Sequence, residues 1–116
     1  MKESILHSKA LEFAANIVIF YEDFLLLKKD NTIAKQLLRS ATSIGANLNE
    51  ATFGNSKADF IAKLHISLKE ASESIYWLEL LRRVYKNIDV LPRLLNDANE
   101  IKAMLIASLN TAKENK

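Results

Sequence analysis

Hydroxyl, amide and carboxylate side chains recur at helical spacing in the stretch RSATSIGANLNEA, residues 39–51. At about 100° per residue, Gln36, Ser40, Ser43, Asn47 and Glu50 fall on one strip that borders an apolar stripe. Serine and asparagine are mediocre helix formers, and an exposed helix favours Lys, Glu or Arg at such positions. The strip therefore predicts either hydrogen bonding across a close helix contact or contact with a ligand, and we favour the structural role.

Other signatures of catalysis are missing from the sequence. Gly45 and Gly54 stand alone, so no glycine-rich loop is available to bind phosphate. The chain has no cysteine, which excludes thiolate nucleophiles, thiolate metal sites and disulfides. Its two histidines, His7 and His65, are far apart in sequence, and no E-x-x-H spacing is present. These patterns predict a non-enzymatic protein with no metal or other cofactor.

Two glutamates, Glu70 and Glu73, share one face of a predicted helix. Carboxylates that catalyse together face each other across a cleft, so this adjacent pair favours a structural role. In an antiparallel helix hairpin that turns near Gly54, Arg39 falls opposite residues 69–73. We therefore expect ion pairs between the second and third helices.

The composition indicates that helices position all of these residues. The chain of 116 residues has only two glycines and one proline, too few for the turns that most β-sheets require. Hydrophobic residues make up 49% and charged residues 26%, the balance of a globular protein, and the length fits one domain, 1–116. The N-terminal sequence lacks the apolar region of a secretory signal, so we expect a soluble cytoplasmic protein without membrane contact.

Apolar residues at three- and four-residue steps predict four amphipathic helices. The first should cover about residues 5–27, and the second should begin at a cap at Asn31 or Thr32. The predicted core stripes comprise Leu6, Ala10, Phe13, Ile17, Phe20, Tyr21 and Phe24 in the first helix, Ile33, Leu37, Ala41, Ile44, Leu48 and Ala51 in the second, Phe60, Leu64, Leu68, Ala71, Ile75 and Leu78 in the third, and Leu94, Ala98, Ile101, Leu105 and Leu109 in the fourth.

Capping residues set the other predicted ends. Ser56 with Asp59 resembles a capping box at the start of the third helix, which should end near Lys86. Pro92 suits the first turn of the fourth helix, and we expect only the tail, residues 111–116, to fray. Helices of similar length joined by short connections predict an all-α fold, an antiparallel up-down-up-down four-helix bundle.

The first and third helices each carry a second apolar stripe outside the core stripe. A helix that is apolar on two sides is buried on two sides, and in a small chain the second cover comes from another subunit. We therefore predict a homo-oligomer, with a wide core and a few exposed leucines as the alternative. The candidate interface comprises Leu11, Val18, Leu25, Ile66, Trp77, Leu80 and Val84, and the same stripes include Ala15, Ile19, Leu26, Ala62 and Leu81.

Half of the sixteen lysines and arginines map to one pole of the predicted bundle, where the first and third helices end. This basic pole predicts a nucleic-acid interface whose weak phosphate contacts are multiplied in a ring of subunits. We slightly favour the alternative, that the cations complement the dipoles at helix C-termini, and the net charge of only +2 supports it. The basic pole comprises Lys28, Lys29, Lys35, Arg39, Arg82, Arg83, Lys86 and Arg93.

The stretch QLLRSATSIGANLNEA, followed by KADFIAKLHISLKEASESIYWLELL, resembles the bacterial four-helix-bundle family of proteins encoded in ribosomal-RNA intervening sequences. The resemblance implies a small cytoplasmic bundle that assembles as a ring, typically a pentamer. It identifies Arg39, Ser40, Ser43, Asn47 and Glu50 as a polar seam of the family. The shared signature falls on Arg39, Ser40, Ser43, Ile44, Asn47, Glu50, Lys69, Glu70, Ala71, Tyr76, Trp77 and Leu78.

The resemblance also extends to the accessory proteins of diversity-generating retroelements, similar members that bind a reverse transcriptase and nucleic acid. We therefore expect a homo-oligomeric interaction protein whose partner is RNA, DNA or a nucleic-acid enzyme such as a reverse transcriptase. A purely protein-binding scaffold is the alternative. A third class is an enzyme that uses a polar pocket between subunits at Ser43, Asn47 and Glu50.

Overall fold

The described residues form four α-helices, and the predicted all-α four-helix bundle is confirmed. The computed structural model describes residues 2–27 and 32–114. In this part of the chain, α1 spans Lys2–Leu27, α2 Thr32–Thr52, α3 Lys57–Val84 and α4 Leu91–Glu114, and no residue is in a β-strand. The bundle measures 49 × 20 × 20 Å, about one helix long and two helices across.

Capping chemistry sets both ends of α3. The backbone of Ser56 is extended, and its Oγ accepts a 3.1 Å hydrogen bond from the Asp59 N–H, as the sequence predicted. The helix ends at Val84, slightly before the predicted end near Lys86. The reason is that Tyr85 leaves the helical conformation while its N–H still bonds to the carbonyl four residues earlier.

The terminal helices are longer than predicted. The expected fraying of residues 111–116 is wrong for the described part of the tail, because α4 continues to Glu114. Buried Leu109 and half-buried Ala112 pack the last turns against the bundle, and this packing outweighs the polar composition. At the other end of the chain, α1 already begins at Lys2.

Contacts between neighbouring helices run in the antiparallel register. Ser40 of α2 lies beside Ser74 of α3, whereas Glu50, further along α2, lies beside Lys63, earlier in α3. His7, early in α1, lies beside Thr52 at the end of α2, whereas Phe24, late in α1, lies beside Ala34 near the start of α2. The contacts of α1 with α4 are antiparallel in the same way. The helices therefore alternate up and down, with α1 beside α2 and α4 and diagonal to α3.

One hydrophobic core extends along the bundle, and every predicted core residue is buried or half-buried. Near the pole where α1 ends, the ring centroid of Phe24 lies 5.5 Å from that of Phe20 and 5.3 Å from that of Tyr85. The Phe24–Tyr85 pair is edge-on, an arrangement that aromatic quadrupoles favour. These rings join the end of α1 to the loop after α3.

Leu81 corrects the predicted outer stripe of α3, because it is almost completely buried. It follows the core residue Leu78 by three positions and so lies only about 60° from it around the helix. Leu81 lies beside Ala34, near the start of α2, and beside Tyr85, which follows α3. The outer stripe of α3 therefore lacks this residue.

Candidate functional site

The polar seam includes a buried pair of serine hydroxyls between α2 and α3. Ser40 Oγ and Ser74 Oγ are 2.8 Å apart, and both residues are buried. Ser40 Oγ lies 3.2 Å from the Leu37 carbonyl oxygen, and Ser74 Oγ lies 2.9 Å from the Glu70 carbonyl oxygen. Each hydroxyl has one proton, and either order of donation places both protons in hydrogen bonds inside the contact. Both buried hydroxyls therefore have hydrogen-bond partners within the α2–α3 contact.

A further buried serine closes the same helix contact. Ser67 Oγ of α3 donates a 2.9 Å hydrogen bond to the Ile44 carbonyl oxygen of α2. Ser67, Ala71 and Ser74 form a stripe of small buried residues that lets the α2 backbone come close. Ser67 and Ser74 are absent from the predicted core, although their four- and three-residue steps around Ala71 are the signal that identifies them.

Ser43 and Asn47 bond along α2 rather than across it. Ser43 Oγ donates to the Arg39 carbonyl oxygen and Asn47 Nδ2 donates to the Ser43 carbonyl oxygen, both at 2.8 Å. Both side chains are half-buried. Hydrogen bonds to the preceding turn satisfy these polar groups locally. The hydrogen bonding between helices that we predicted is thus present at Ser40, whereas Ser43 and Asn47 are held by their own helix.

Arg39, on the outer side of the polar seam, pairs with two glutamates of α3, as the sequence predicted. Its Nη2 contacts Glu73 Oε2, and its Nη1 lies 3.6 Å from Glu70 Oε1. Glu73 Oε2 also accepts a 3.3 Å hydrogen bond from Trp77 Nε1. Glu70 Oε1 is buried and accepts no hydrogen bond from the described residues. The network links the polar seam to Trp77, a residue of the candidate interface.

The two ends of the polar strip are exposed. Glu50 Oε1 accepts a 2.6 Å hydrogen bond from Lys63 Nζ of α3, and Gln36 Oε1 lies 3.5 Å from Arg39 Nε. An exposed ion pair such as Glu50–Lys63 stabilises a fold by at most about 1 kcal/mol, because water screens it. It contributes to the register of α2 and α3 more than to stability.

The histidines lie apart. His7 Nε2 of α1 lies 3.0 Å from Thr52 Oγ1 and 3.2 Å from the Leu48 carbonyl oxygen, both of α2. His65 is exposed on α3. Within the described residues, no group of His, Asp or Glu side chains has the geometry to hold a metal ion. None of the helices in the described ranges is long and apolar enough to cross a bilayer.

The structure describes six of the eight residues of the predicted basic pole. Lys28 and Lys29 lie outside the described residues, as does the candidate cap Asn31. Arg39 is held by the two α3 glutamates. The other members are exposed, and Arg93 lies in a separate cleft beside the end of α1.

Three cations of the basic pole stay together. Arg82, Arg83 and Lys86 line an open groove of about 550 Å³ with Glu79 and Leu95. Arg82 and Arg83 are in the last turn of α3, where cations also complement the helix dipole. This trio is the part of the pole that the structure groups on one surface.

Two outer faces expose large apolar side chains. We call Leu11, Val18 and Leu25 the outer α1 face, and Ile66, Trp77, Leu80 and Val84 the outer α3 face. Leu11 is 73% and Val84 55% exposed, whereas Trp77 and Leu80 are half-buried. The described structure therefore leaves both faces uncovered.

A groove between α1 and α4 has no counterpart in the sequence prediction. An apolar cleft of about 410 Å³ lies beside the end of α1, and a smaller space of about 130 Å³ lies further along the same pair of helices. Asn16 lines both spaces, so they adjoin each other, and we call the two together the α1–α4 groove. The sequence contains charged residues on successive turns of α1 and of α4 that could have indicated the groove. Only the register of the two helices shows that these residues face each other.

The comparisons with known proteins agree with this fold. The profile of the family described as 23S rRNA-intervening sequence protein matches residues 2–107. The chain is similar to a protein of unknown function from the S23 ribosomal protein family of Bacteroides thetaiotaomicron VPI-5482, whose crystal structure superposes with a TM-score of 0.90. The two are 45% identical, and the match covers 95% of this chain and 99% of the other. The comparison with curated proteins finds no match. The predicted resemblance is confirmed, and the chain belongs to the family of 23S rRNA-intervening sequence proteins.

Proposed function

We propose that the protein is a non-enzymatic homo-oligomer that acts as an interaction module, and that its copies meet through the outer α1 face and the outer α3 face. The observation that carries the proposal is the exposure of large apolar side chains along both faces. Soluble monomers seldom leave extended apolar strips open to water, since burial stabilises by about 0.8 kcal/mol per CH₂ group. A second copy of the chain supplies the cover.

The spacing on the two faces suits a partner helix that lies alongside. Leu11, Val18 and Leu25 recur every seven residues, and Trp77 and Val84 are seven residues apart. A seven-residue apolar repeat is the contact line of helices that pack side by side with a small crossing angle. Each face therefore fits a helix of another subunit rather than a small molecule.

The positions of the two faces favour a ring. The faces lie on α1 and α3, which are diagonal in the bundle. A contact between two different faces is head-to-tail, and a head-to-tail contact closes into a ring when the rotation between copies divides a full turn. The family resemblance implies five subunits, and we propose a pentamer.

Light scattering after size-exclusion chromatography tests the assembly. The wild-type protein should have a mass several times the 13.1 kDa of one chain. Val18→Glu or Ile66→Glu should lower it, because a charge on either face must be desolvated in the contact. Ile106→Glu is the matched control, since Ile106 of α4 is 41% exposed, close to the 39% of Ile66, but lies on neither face. A wild-type mass of one chain, or an unchanged mass in both face variants, would contradict the proposal.

A second candidate function is nucleic-acid binding through Arg82, Arg83 and Lys86. What supports it is that these three exposed cations line one open groove. A single copy offers few phosphate contacts, but a ring repeats the groove around its axis and multiplies them. Glu79 on the same groove weakens the field of each copy.

Fluorescence anisotropy with labelled single-stranded and duplex RNA and DNA tests the second candidate. Binding should weaken steeply between about 50 mM and about 200 mM salt. It should also fall at least about tenfold when all three cations become glutamine, a change that removes charge without adding repulsion at the end of α3. Lys57→Gln, Lys69→Gln and Lys113→Gln together are the control for net charge, because they also remove three exposed cations. If neither salt nor the triple substitution changes binding, the second candidate is wrong, and the function that remains is a protein-binding scaffold without nucleic-acid contact.

A further inference from the structure

The α1–α4 groove combines an apolar cleft with a charge opposite to that of the chain. The cleft beside the end of α1 is lined by Ile19, Phe20, Phe24, Leu27, Ile88 and Val90. Its volume of about 410 Å³ falls within the usual range of ligand sites. Ile19 is 57% exposed, so the apolar lining reaches the surface.

Carboxylates outnumber cations along the groove. The carboxylates are Glu12, Asp23, Asp89, Asp97 and Glu100, and the two cations are Lys9 and Arg93. Because the whole chain has a net charge of +2, negative charge is concentrated in this groove.

The pKa of Lys9 reflects the negative charge of the carboxylates around it. Its Nζ donates a 2.7 Å hydrogen bond to Glu100 Oε1. This hydrogen bond, followed by the charges of Glu100, Asp97 and Glu12, raises the pKa of Lys9 above its ordinary value. The groove thus stabilises a positive charge near its surface.

We infer that the α1–α4 groove binds a cationic amphipathic helix of a partner protein. Apolar side chains of that helix enter the cleft near Phe24, and its Lys or Arg residues meet the flanking carboxylates. The groove follows α1 from Lys9 to Leu27, about 27 Å at the helical rise of 1.5 Å per residue. This length exceeds that of a small molecule and suits a helix laid in a groove. The groove shares no residue with the outer α1 face or the outer α3 face, and it takes up Ile19, which the sequence analysis had placed in the second stripe of α1.

A pair of labelled peptides tests the inference. The probe is an amphipathic helix of about 18 residues, the length of the groove, with leucines and one tryptophan on one face and lysines on the other. Its counterpart has glutamate at each lysine position. In anisotropy titrations against the purified protein, the lysine peptide should bind at least about tenfold more tightly than the glutamate peptide.

Substitutions locate the site. Ile19→Lys should weaken binding of the lysine peptide at least about tenfold, because it puts a cation at the mouth of the cleft. Asp23→Lys with Asp89→Lys should act in the same direction. Ile106→Lys, an exposed apolar position of α4 outside the groove, should leave binding unchanged. Val18→Glu should also bind normally, which separates this inference from the failure of self-association.

Four results would overturn the inference. The first is equal affinity for the two peptides, and the second is normal binding by Ile19→Lys. The third is a fall in the light-scattering mass of Ile19→Lys in the absence of peptide, since the groove would then be a contact between copies of this chain. Amide shift changes confined to α2 and α3 in an NMR titration would place the peptide elsewhere and also contradict it.

Discussion

The α2–α3 contact and the α1–α4 contact differ in the size of the side chains that line them. Small buried residues, Ser40, Ser67, Ala71 and Ser74, line the first. Large rings and charged side chains line the second, among them Phe13, Phe20 and Phe24 of α1. The first contact is closed and its hydroxyls are satisfied, whereas the second leaves an open groove.

The difference shows how one bundle forms two kinds of surface. The distance between helix axes, typically about 8–10 Å, depends on the side chains at the contact. Serine and alanine let α2 and α3 approach closely, and hydroxyls then reach backbone carbonyls of the other helix. Phenylalanines fill the centre between α1 and α4 but cannot fill its edge, so space remains there. α1 and α4 accordingly make the least extensive contact of the four neighbouring pairs.

Ser67→Leu should produce the largest effect, because it forces a large side chain into the closed contact. It removes the hydrogen bond to the Ile44 carbonyl oxygen and overpacks the approach of α2. We expect the free energy of unfolding to fall by about 3 kcal/mol or more, measured by urea unfolding followed by circular dichroism. If that variant does not fold, Ser67→Ala isolates the lost hydrogen bond, at about 1 kcal/mol.

Asn16→Leu is the matched substitution in the open groove. Asn16 is half-buried and lines both parts of the α1–α4 groove, so a leucine there meets space rather than a backbone. The unfolding free energy should change by no more than about 0.5 kcal/mol. Equal losses at positions 16 and 67 would remove the distinction between the two contacts.

Ser74→Ala should have an intermediate effect. The substitution leaves Ser40 Oγ with only the Leu37 carbonyl oxygen as its partner. We expect a loss of about 1 kcal/mol in urea unfolding, relative to Ser72→Ala, which controls for the higher helix propensity of alanine. Because Ser40 and Ser74 share one hydrogen bond, the double alanine variant should lose less than the sum of the single variants. Additive losses would show that the two hydroxyls do not interact.

The exposed Lys9–Glu100 bridge at the open groove should give the smallest effect. Its hydrogen bond and the charge of Glu100 raise the pKa of Lys9, so the bridge stabilises the fold fully below about pH 10.5 and is lost as the pH rises through the raised pKa. Glu100→Gln should move the pKa of Lys9 back towards 10.5. An NMR titration of the Lys9 Cε signal measures this shift. The same midpoint in both proteins would show that the bridge does not form in solution.

Much of the fold could be predicted because periodic patterns report burial directly. Residues such as Phe13, Ile44 and Leu105 recur at helical steps and all point into the core. Helix ends were less predictable, since Leu109 extends α4 through packing that the polar tail does not reveal. Leu81 shows the same limit: a position between two stripes is assigned to the core only when α2 packs against it.

The candidate site could be predicted only in part. The polar seam was visible as serine and asparagine at helical spacing, and the ion pairs of Arg39 followed from the hairpin register. The buried partner Ser74 was missed although it lies one helical step from Ala71, because the identity of a serine does not distinguish the core from the surface. The α1–α4 groove was also missed, since its two sides come from opposite ends of the chain.

The sequence by itself determined four helices and most of their core stripes, because helical periodicity and capping are local properties of the chain. The family was identified separately, from the resemblance of the motifs in α2 and α3. Only the tertiary structure decided which polar groups are satisfied, which cations remain grouped and where a groove opens. Those outcomes depend on side-chain size and charge across helices that are distant in sequence, and a pattern within one helix does not contain them.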